Sequence, residues 1–413
     1  MHTLLHEAAQ QGNLEAVKRL LDEEKISVDC QNNSGNTPLY LAVRNCHKDV
    51  VEVLLAHGAN VNLQDRHYNT ALHYAIRTRD LTIATLLLNN GANPNIQDNC
   101  LNTPLHYAAL KCSPDIVKLL LNSGSNPNIQ DKWLNTPLHH AAFYCNMDII
   151  KLLLNSGSNP NIQDKWLNIP FHYVASKCNP DIIKLLLNSG SNLNLLNHTR
   201  NTPFMLAYNM FVTNQAQNKE VMELLVAEMV KLDHSGIKIS ESNLEGFNVN
   251  KQLISESDLL KELEQQCHKE IEEMKSIRVG KNNLSFFDIF VLQKDINMLA
   301  RCANNSDIVK FQNKFSMYSS FIEKSIGDGQ ARAKLLQGAA ESMDEIFESN
   351  QDTNQENQTS WSHLPPEVRV MILENLSNND LTKLQHTDVA EAGEAGAEVE
   401  DEVGGAYAIY EEE

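Results

Sequence analysis

The chain has 413 residues, 34 basic against 53 acidic side chains and a net charge of −19. That length leaves room for two or three domains, and the acid excess argues against broad phosphate binding, so nucleic acid is not an expected partner. No apolar run approaches the roughly 20 residues that span a bilayer, and the N-terminal stretch MHTLLHEAAQQGN has no apolar signal core. The expected setting is intracellular, in cytoplasm or nucleus, with no membrane partner. The sequence has no phosphate loop, dinucleotide fingerprint, HExxH or paired CxxC. It therefore predicts no enzyme, no catalytic residue, no cofactor and no metal.

From the first residues onward one pattern recurs: TLLH at Thr3, TPLY at Thr37, TALH at Thr70, TPLH at Thr103, TPLH at Thr136, IPFH at Ile169 and TPFM at Thr202. The steps are 34 and then five times 33 residues, a spacing that marks a stacked array. The copying is strongest in KLLLNSGSNPNIQDKWLN, which fills residues 118–135 and recurs unchanged at 151–168. Each letter has a structural task. Thr37, Thr103, Thr136 and Thr202 can cap a helix, and the following Pro sits at the first helical position, where its missing N–H costs nothing. Small pairs such as Ala108 and Ala109 let helices approach, while Leu119, Leu120, Leu152 and Leu153 fill the space between units. Gly58, Gly91, Gly124, Gly157 and Gly190 end each second helix in a left-handed backbone.

The unit resembles the ankyrin repeat, whose T-P-L-H-x-A signature and 33-residue period occur here seven times over residues 1–233. The resemblance implies a solenoid that binds a protein target. His73, His106, His139 and His172 belong to the signature and are expected to hydrogen-bond across turns rather than hold metal. Cys112, Cys145 and Cys178 repeat every 33 residues at the turn within each unit; stacked helices lie about 8–10 Å apart, too far for a disulfide, so free thiols are expected. One departure matters. The family commonly places Gly two residues before the signature Thr; Gly35 obeys, but Tyr68, Leu101, Leu134, Leu167 and Arg200 replace it. Leu134 and Leu167, with Lys132, Trp133, Lys165 and Trp166 beside them, are the candidate target-binding residues. Packing of these side chains finger on finger is the alternative.

Beyond the repeats, NKEVMELLVAEMVKL from Asn218 reads as the second helix of a final unit that follows an insertion, FVTNQAQ, and closes the stack. Residues 234–348 then form a helical domain. Ser257 caps a helix with Leu259, Leu260, Leu263, Cys267, Ile271 and Met274 at helical spacing. Two short helices follow Ser285, one from Ser306 ends near Ser325, and a last one runs from Asp328 to about Phe347.

Residues 349–360 are a polar linker. The segment 361–386, WSHLPPEVRVMILENLSNNDLTKLQH, opens a helix with two prolines and starts a second near Asp380. Such a small piece must set its apolar side against the rest of the chain or another protein. The tail from Thr387 to Glu413 carries ten acidic residues and no basic one, and should be disordered.

The segment looks like an F-box, LPxExxxxILxxLxxxDLxxL, matched by Leu364, Pro365, Glu367, Ile372, Leu373, Leu376, Asp380, Leu381 and Leu384. A truncated F-box after ankyrin repeats resembles the PRANC family of poxviruses, intracellular bacteria and parasitoid wasps, and the middle helices are similar to its wasp members. That resemblance implies an all-α adaptor: the ankyrin solenoid selects a target, and the nine matched residues dock on the Skp adaptor of a cullin ubiquitin ligase. The segment lacks the later part of a full F-box. The alternative is a plain ankyrin sequestering protein, like inhibitors that mask Rel-type transcription factors, whose C-terminal helices only cap the fold.

Overall fold

The computed structural model describes residues 3–23, 25–177, 179–236, 238–279, 284–293, 296–302, 314–349, 369–370 and 373–385. The fold is all-α. The one extended pairing among these residues is a two-residue antiparallel ladder, Arg278–Val279 against Leu284–Ser285. The chain divides into two compact units, one of residues 1–229 with 237–262, the other of residues 230–236 with 263–413.

In the first unit every repeat is a helix pair, for example Pro104–Leu110 with Pro114–Asn122 and Pro137–Phe143 with Met147–Asn155. Ala108, Ala109, Ala141, Ala142, Leu120 and Leu153 are fully buried between successive pairs, whereas Leu119 and Leu152 are half-buried. The helix starts follow two schemes. The Thr37 and Thr202 hydroxyls accept the N–H of Tyr40 and Met205, at 3.1 Å each. Where the signature carries His, the imidazole takes over: Thr103 N–H donates to His106 Nδ1 at 3.0 Å, and the Thr103 hydroxyl lies 2.8 Å from the same nitrogen. The other ring nitrogen, Nε2, meets the Asn135 carbonyl of the next unit at 3.1 Å. His73, His139 and His172 repeat this bridge to Asn102, Asn168 and Asn201. At Ile169, which has no hydroxyl, the backbone N–H still donates to His172 Nδ1 at 3.1 Å, so the start survives the substitution.

The loops explain why polar letters are copied with the core. Asn128 Oδ1 accepts the Asn159 N–H at 2.7 Å while its amide donates to the Gly157 carbonyl at 3.0 Å. Asn62, Asn95 and Asn161 make the same two bonds one unit apart. Gln31, Gln64, Gln97 and Gln130 each donate to the carbonyl of the glutamine one unit on. Two side-chain ladders therefore tie each loop to the next, beside the buried helices.

The end of the stack differs from the sequence expectation. FVTNQAQ is absorbed into helices rather than looped out: Pro203–Thr213 runs through it, Asn214 breaks, and Gln215–His234 begins at once. The last finger is covered by the helix Glu241–Glu256. Its buried Asn250 accepts the Thr202 hydroxyl at 2.6 Å and donates to Leu193 O and Asn194 Oδ1. Gly246 sits so close that a Cβ there would lie 1.9 Å from the Asn194 carbonyl oxygen.

The second unit has an aromatic core. Phe286, Phe290, Phe315 and Tyr318 are fully buried, with Phe286 and Phe290 stacked at 4.5 Å. The helix Asp258–Ser276, whose start Ser257 caps, buries Cys267, Ile271 and Met274, the face the spacing predicts. The buried Glu270 carboxylate is satisfied by Gln266, Ser316 Oγ and the Met317 N–H. A π-helix, Phe287–Val291, and the helix Ile296–Cys302 follow. Of the expected helix from Ser306 to about Ser325, residues 306–313 fall outside the described residues, 314–318 form turns, and the rest belongs to a helix that begins at Ser319. Instead of a break at Ser325 to Asp328, one helix runs from Ser319 to Ser349. Gly327 and Gly329 lower its intrinsic propensity, but packing against the Ile296–Cys302 helix outweighs that cost of about 1 kcal/mol each.

Candidate interaction surfaces

The first candidate surface is the row of loop tips. Tyr68, Leu101, Leu134, Leu167 and Arg200 all adopt φ between 60° and 62°, the left-handed conformation that Gly35 adopts in its own loop. For a side-chain-bearing residue this conformation costs about 1–2 kcal/mol. Leu134 and Leu167 stay 46% and 44% exposed, and Trp133 and Trp166 are 41% and 49% exposed, so half of each ring meets solvent and half packs. Their backbones are fixed: Trp133 O accepts the Lys165 N–H at 2.9 Å, and Trp166 O accepts the His198 N–H at 2.8 Å. Lys132 and Lys165 are exposed. The copied Asn135, by contrast, bonds Asp131 and serves the loop. The six candidate target-binding residues thus form one semi-exposed apolar row with two flanking cations.

The second candidate surface is the F-box-like segment. Leu364, Pro365, Glu367 and Ile372 lie outside the described residues. Of the other five candidate docking residues, Leu373 and Leu381 are buried at 1% and 0% exposure in a cluster with Ala300, Leu336 and Ala339, and half-buried Leu376 packs on it. Their side chains are committed to the chain's own core and cannot form an open docking face. Asp380 is not the cap of its helix: Ser377 caps Asn378–Gln385, and Asp380 reaches back to the Ser377 N–H at 3.2 Å. Leu384 lies on that same helix.

A residue that the sequence reading missed fixes this arrangement. Arg332, 3% exposed on the Ser319–Ser349 helix, donates to Asn378 Oδ1 and Leu376 O at 2.7 Å each, Glu374 O at 3.1 Å and Asn297 Oδ1 at 3.3 Å. Arg301 adds an ion pair to Glu374. Nothing in local spacing reveals an arginine whose acceptors lie 35 to 46 positions away along the chain. Also unforeseen are Phe143 and Tyr144, 50% and 51% exposed. Among the described residues no three His, Cys, Asp or Glu side chains gather as a metal site, and no helix is long and apolar enough to cross a membrane. Cys112 and Cys145 are unpaired, and Cys178 lies outside the described residues.

Helix pairs tied unit to unit by signature histidines and loop ladders, with apolar tips in a row, define a solenoid scaffold for protein contact. The chain belongs to the ankyrin repeat family: the family description "Ankyrin repeats" matches in three copies, over residues 5–98, 72–164 and 138–238. The description "PRANC domain" matches residues 281–386, so the C-terminal domain begins well before the F-box-like segment. Both are interaction modules rather than enzyme families. Similar proteins include the Fowlpox virus (strain NVSL) ankyrin repeat protein FPV031, 30% identical over 41% of this chain and 48% of its own length. FPV244 of the same virus is 31% identical over 33% of this chain and 19% of its own. The chain spans about half or less of the length of these relatives. Among solved structures, the ankyrin repeat domain of Bcl-3, a member of the IkappaB family, is 30% identical with a TM-score of 0.47, covering 53% of this chain and 98% of that one. The human ASB11 ankyrin repeat domain is 29% identical with a TM-score of 0.44 over the same shares.

Proposed function

We propose that the protein is an intracellular adaptor whose ankyrin stack captures a target protein and whose C-terminal domain recruits the Skp adaptor of a cullin ubiquitin ligase. The observation that carries the first half is the row of exposed Leu134, Leu167, Trp133 and Trp166, with the two leucines held at a backbone cost that glycine would spare. The second half is supported by the F-box-like letters inside the PRANC match. Binding both proteins on one chain raises the local concentration of the target at the transfer machinery without chemistry by the adaptor itself. The poxvirus relatives fit a protein made by a pathogen and acting on host proteins.

One observation favours a second reading. Because Leu373 and Leu381 are buried, the segment also completes the fold of its own domain, as a sequestering protein without ligase recruitment would need. Docking would then have to use Leu364, Pro365, Glu367 and Ile372. Replacing Leu364 and Pro365 with Ala separates the two. The adaptor reading expects wild-type protein purified from eukaryotic cells to carry the Skp adaptor and cullin, and the variant to lose both while keeping its target. Equal recovery by the variant, or none by wild type, leaves the sequestering protein.

A further inference from the structure

We infer that the groove along the first helices of units two to five binds an extended peptide whose acidic half faces Arg44 and Arg77 and whose apolar half faces Leu110 and Phe143. This rests on the reading that the ankyrin stack binds a protein and adds the chemistry of the bound segment. The argument begins with register. Arg44, Arg77, Leu110 and Phe143 each stand seven residues after the start of their signature, at Thr37, Thr70, Thr103 and Thr136, so the 33-residue period sets them in one row. All four are exposed, Leu110 at 37% and Phe143 at 50%.

The cationic half lines an open cleft of about 880 Å³, to which the finger loop adds Arg66 and the turn after Leu110 adds Lys111. Four cations thus converge in a chain of net charge −19. None of the four has an ion pair to a carboxylate among the described residues. The only acid in the lining, Asp65, is 8% exposed, and its Oδ1 accepts the His67 and Asn69 N–H groups at 2.8 and 2.9 Å, so the lining sets four cations against one carboxylate. Arg77 is held over the Tyr74 and Tyr107 rings, 5.0 and 5.6 Å from their centroids, which presets its planar fork. Like charges kept together without counterions destabilise the free protein and reward an anionic partner. The apolar half is formed by Leu110, Phe143 and Tyr144, with Lys177 5.0 Å over the Phe143 ring.

The charge pattern favours a carboxylate peptide over nucleic acid, because four cations cluster at one end of the groove, a single lysine, Lys177, stands at the other, and the chain's net charge of −19 repels a phosphate backbone. Stacked units lie about 8–10 Å apart, and an extended chain advances about 3.3–3.6 Å per residue, so anchors should recur about every third residue. The bound segment therefore follows the pattern acidic, x, x, acidic, x, x, apolar, x, x, apolar, read in either direction.

The test uses full-length protein and fluorescein-labelled peptides Glu-Ser-Gly-Glu-Ser-Gly-Leu-Ser-Gly-Phe and its reversed sequence, read by anisotropy. One of the two should bind, more weakly as salt rises, and its Gln-for-Glu counterpart should bind at least tenfold more weakly. The double variant Arg44→Ser with Arg66→Ser touches neither tyrosine stack and should cost at least tenfold in affinity with a melting temperature equal to or above that of wild type. Lys48→Ser, on an outer helix, should change nothing. Failure of both peptides, equal binding of the Gln peptide or of the double variant, or tighter binding of a single-stranded oligonucleotide would overturn the inference. Loss of the peptide with undiminished capture of the cellular target would remove the groove and leave the wider ankyrin reading standing. Peptide binding without any captured target would do the reverse.

Discussion

The two compact units are held together by different kinds of bond, and the difference decides what a sequence reader can see. In the ankyrin stack the ties between units span 29 to 33 residues and repeat, as in the His106 bridge to Asn135 and the Gln97 bond to Gln130. In the C-terminal unit the ties are single and distant: Arg332 to Leu376 spans 44 residues and Asn297 to Glu374 spans 77. A periodic tie is written several times and can be read from its recurrence. A unique tie is written once and looks like any other surface letter until the fold is known.

The comparison breaks most directly at Arg332. Replacing it with Met keeps the aliphatic bulk but removes four charge-assisted hydrogen bonds and strands the Leu376 carbonyl, while Glu374 O keeps the Asn297 amide, at a cost of about 4 kcal/mol to the C-terminal unit. Hydrogen exchange should show amides 373–385 losing protection while the repeats keep theirs. Equal protection in the variant would mean that the apolar cluster around Leu373 holds the segment without the arginine.

Acid should act on the repeated ties. Burial pushes His106 and His139 down to about 4, helped in both by the His140 charge, and lowers His73 and His172 as well. Unfolded imidazoles titrate near 6.5, so between these values the unfolded chain takes up protons that the stack refuses. Stability is therefore full above pH 6.5 and falls as pH drops toward 4, by up to about 3 kcal/mol for each of His106 and His139. A denaturant midpoint that stayed level from pH 7 to 5 would show that the imidazoles are not the ties described. A similar loss, about 3 kcal/mol, is expected for Gly246→Ala, where overpacking against the Asn194 carbonyl uncovers the last finger. Its check is the melting temperature of the repeats.

The smallest effect has the opposite sign. Leu134→Gly with Leu167→Gly relieves the left-handed strain and should raise repeat stability by about 0.5–1 kcal/mol in total, since glycine also loosens the unfolded chain. Target capture should weaken in the same variant. Lower stability together with unchanged capture would assign the leucines to packing.

Most of the stack was legible because seven signatures, the caps and the terminal glycines each encode a local backbone event. The asparagine and glutamine ladders could have been read too: Asn128 and Gln130 recur with the period, and a polar letter kept in every unit calls for a bond between units. Residues 241–256 were expected only as part of a helical domain after the stack; neither the helix Glu241–Glu256 nor its seat on the last finger was read, because Gly246 and Asn250 carry meaning only against Asn194 and Thr202. The F-box-like segment was legible only as a pattern. Its apolar spacing marked an amphipathic pair, yet spacing cannot say which partner covers it, and for Leu373 and Leu381 the partner is the chain itself.

The central claim is that one chain bridges a target and the ubiquitin ligase through two separate surfaces. Immobilised Skp adaptor should retain the target only when wild-type protein is added. Trp133→Ala with Trp166→Ala should leave the protein on the adaptor but release the target, and Leu364→Ala with Pro365→Ala should remove both. Truncated interface anchors commonly cost about 2 kcal/mol or more each, enough to empty the beads of a micromolar partner. If wild-type protein captures the target in solution but never brings it to the adaptor, the bridge does not exist.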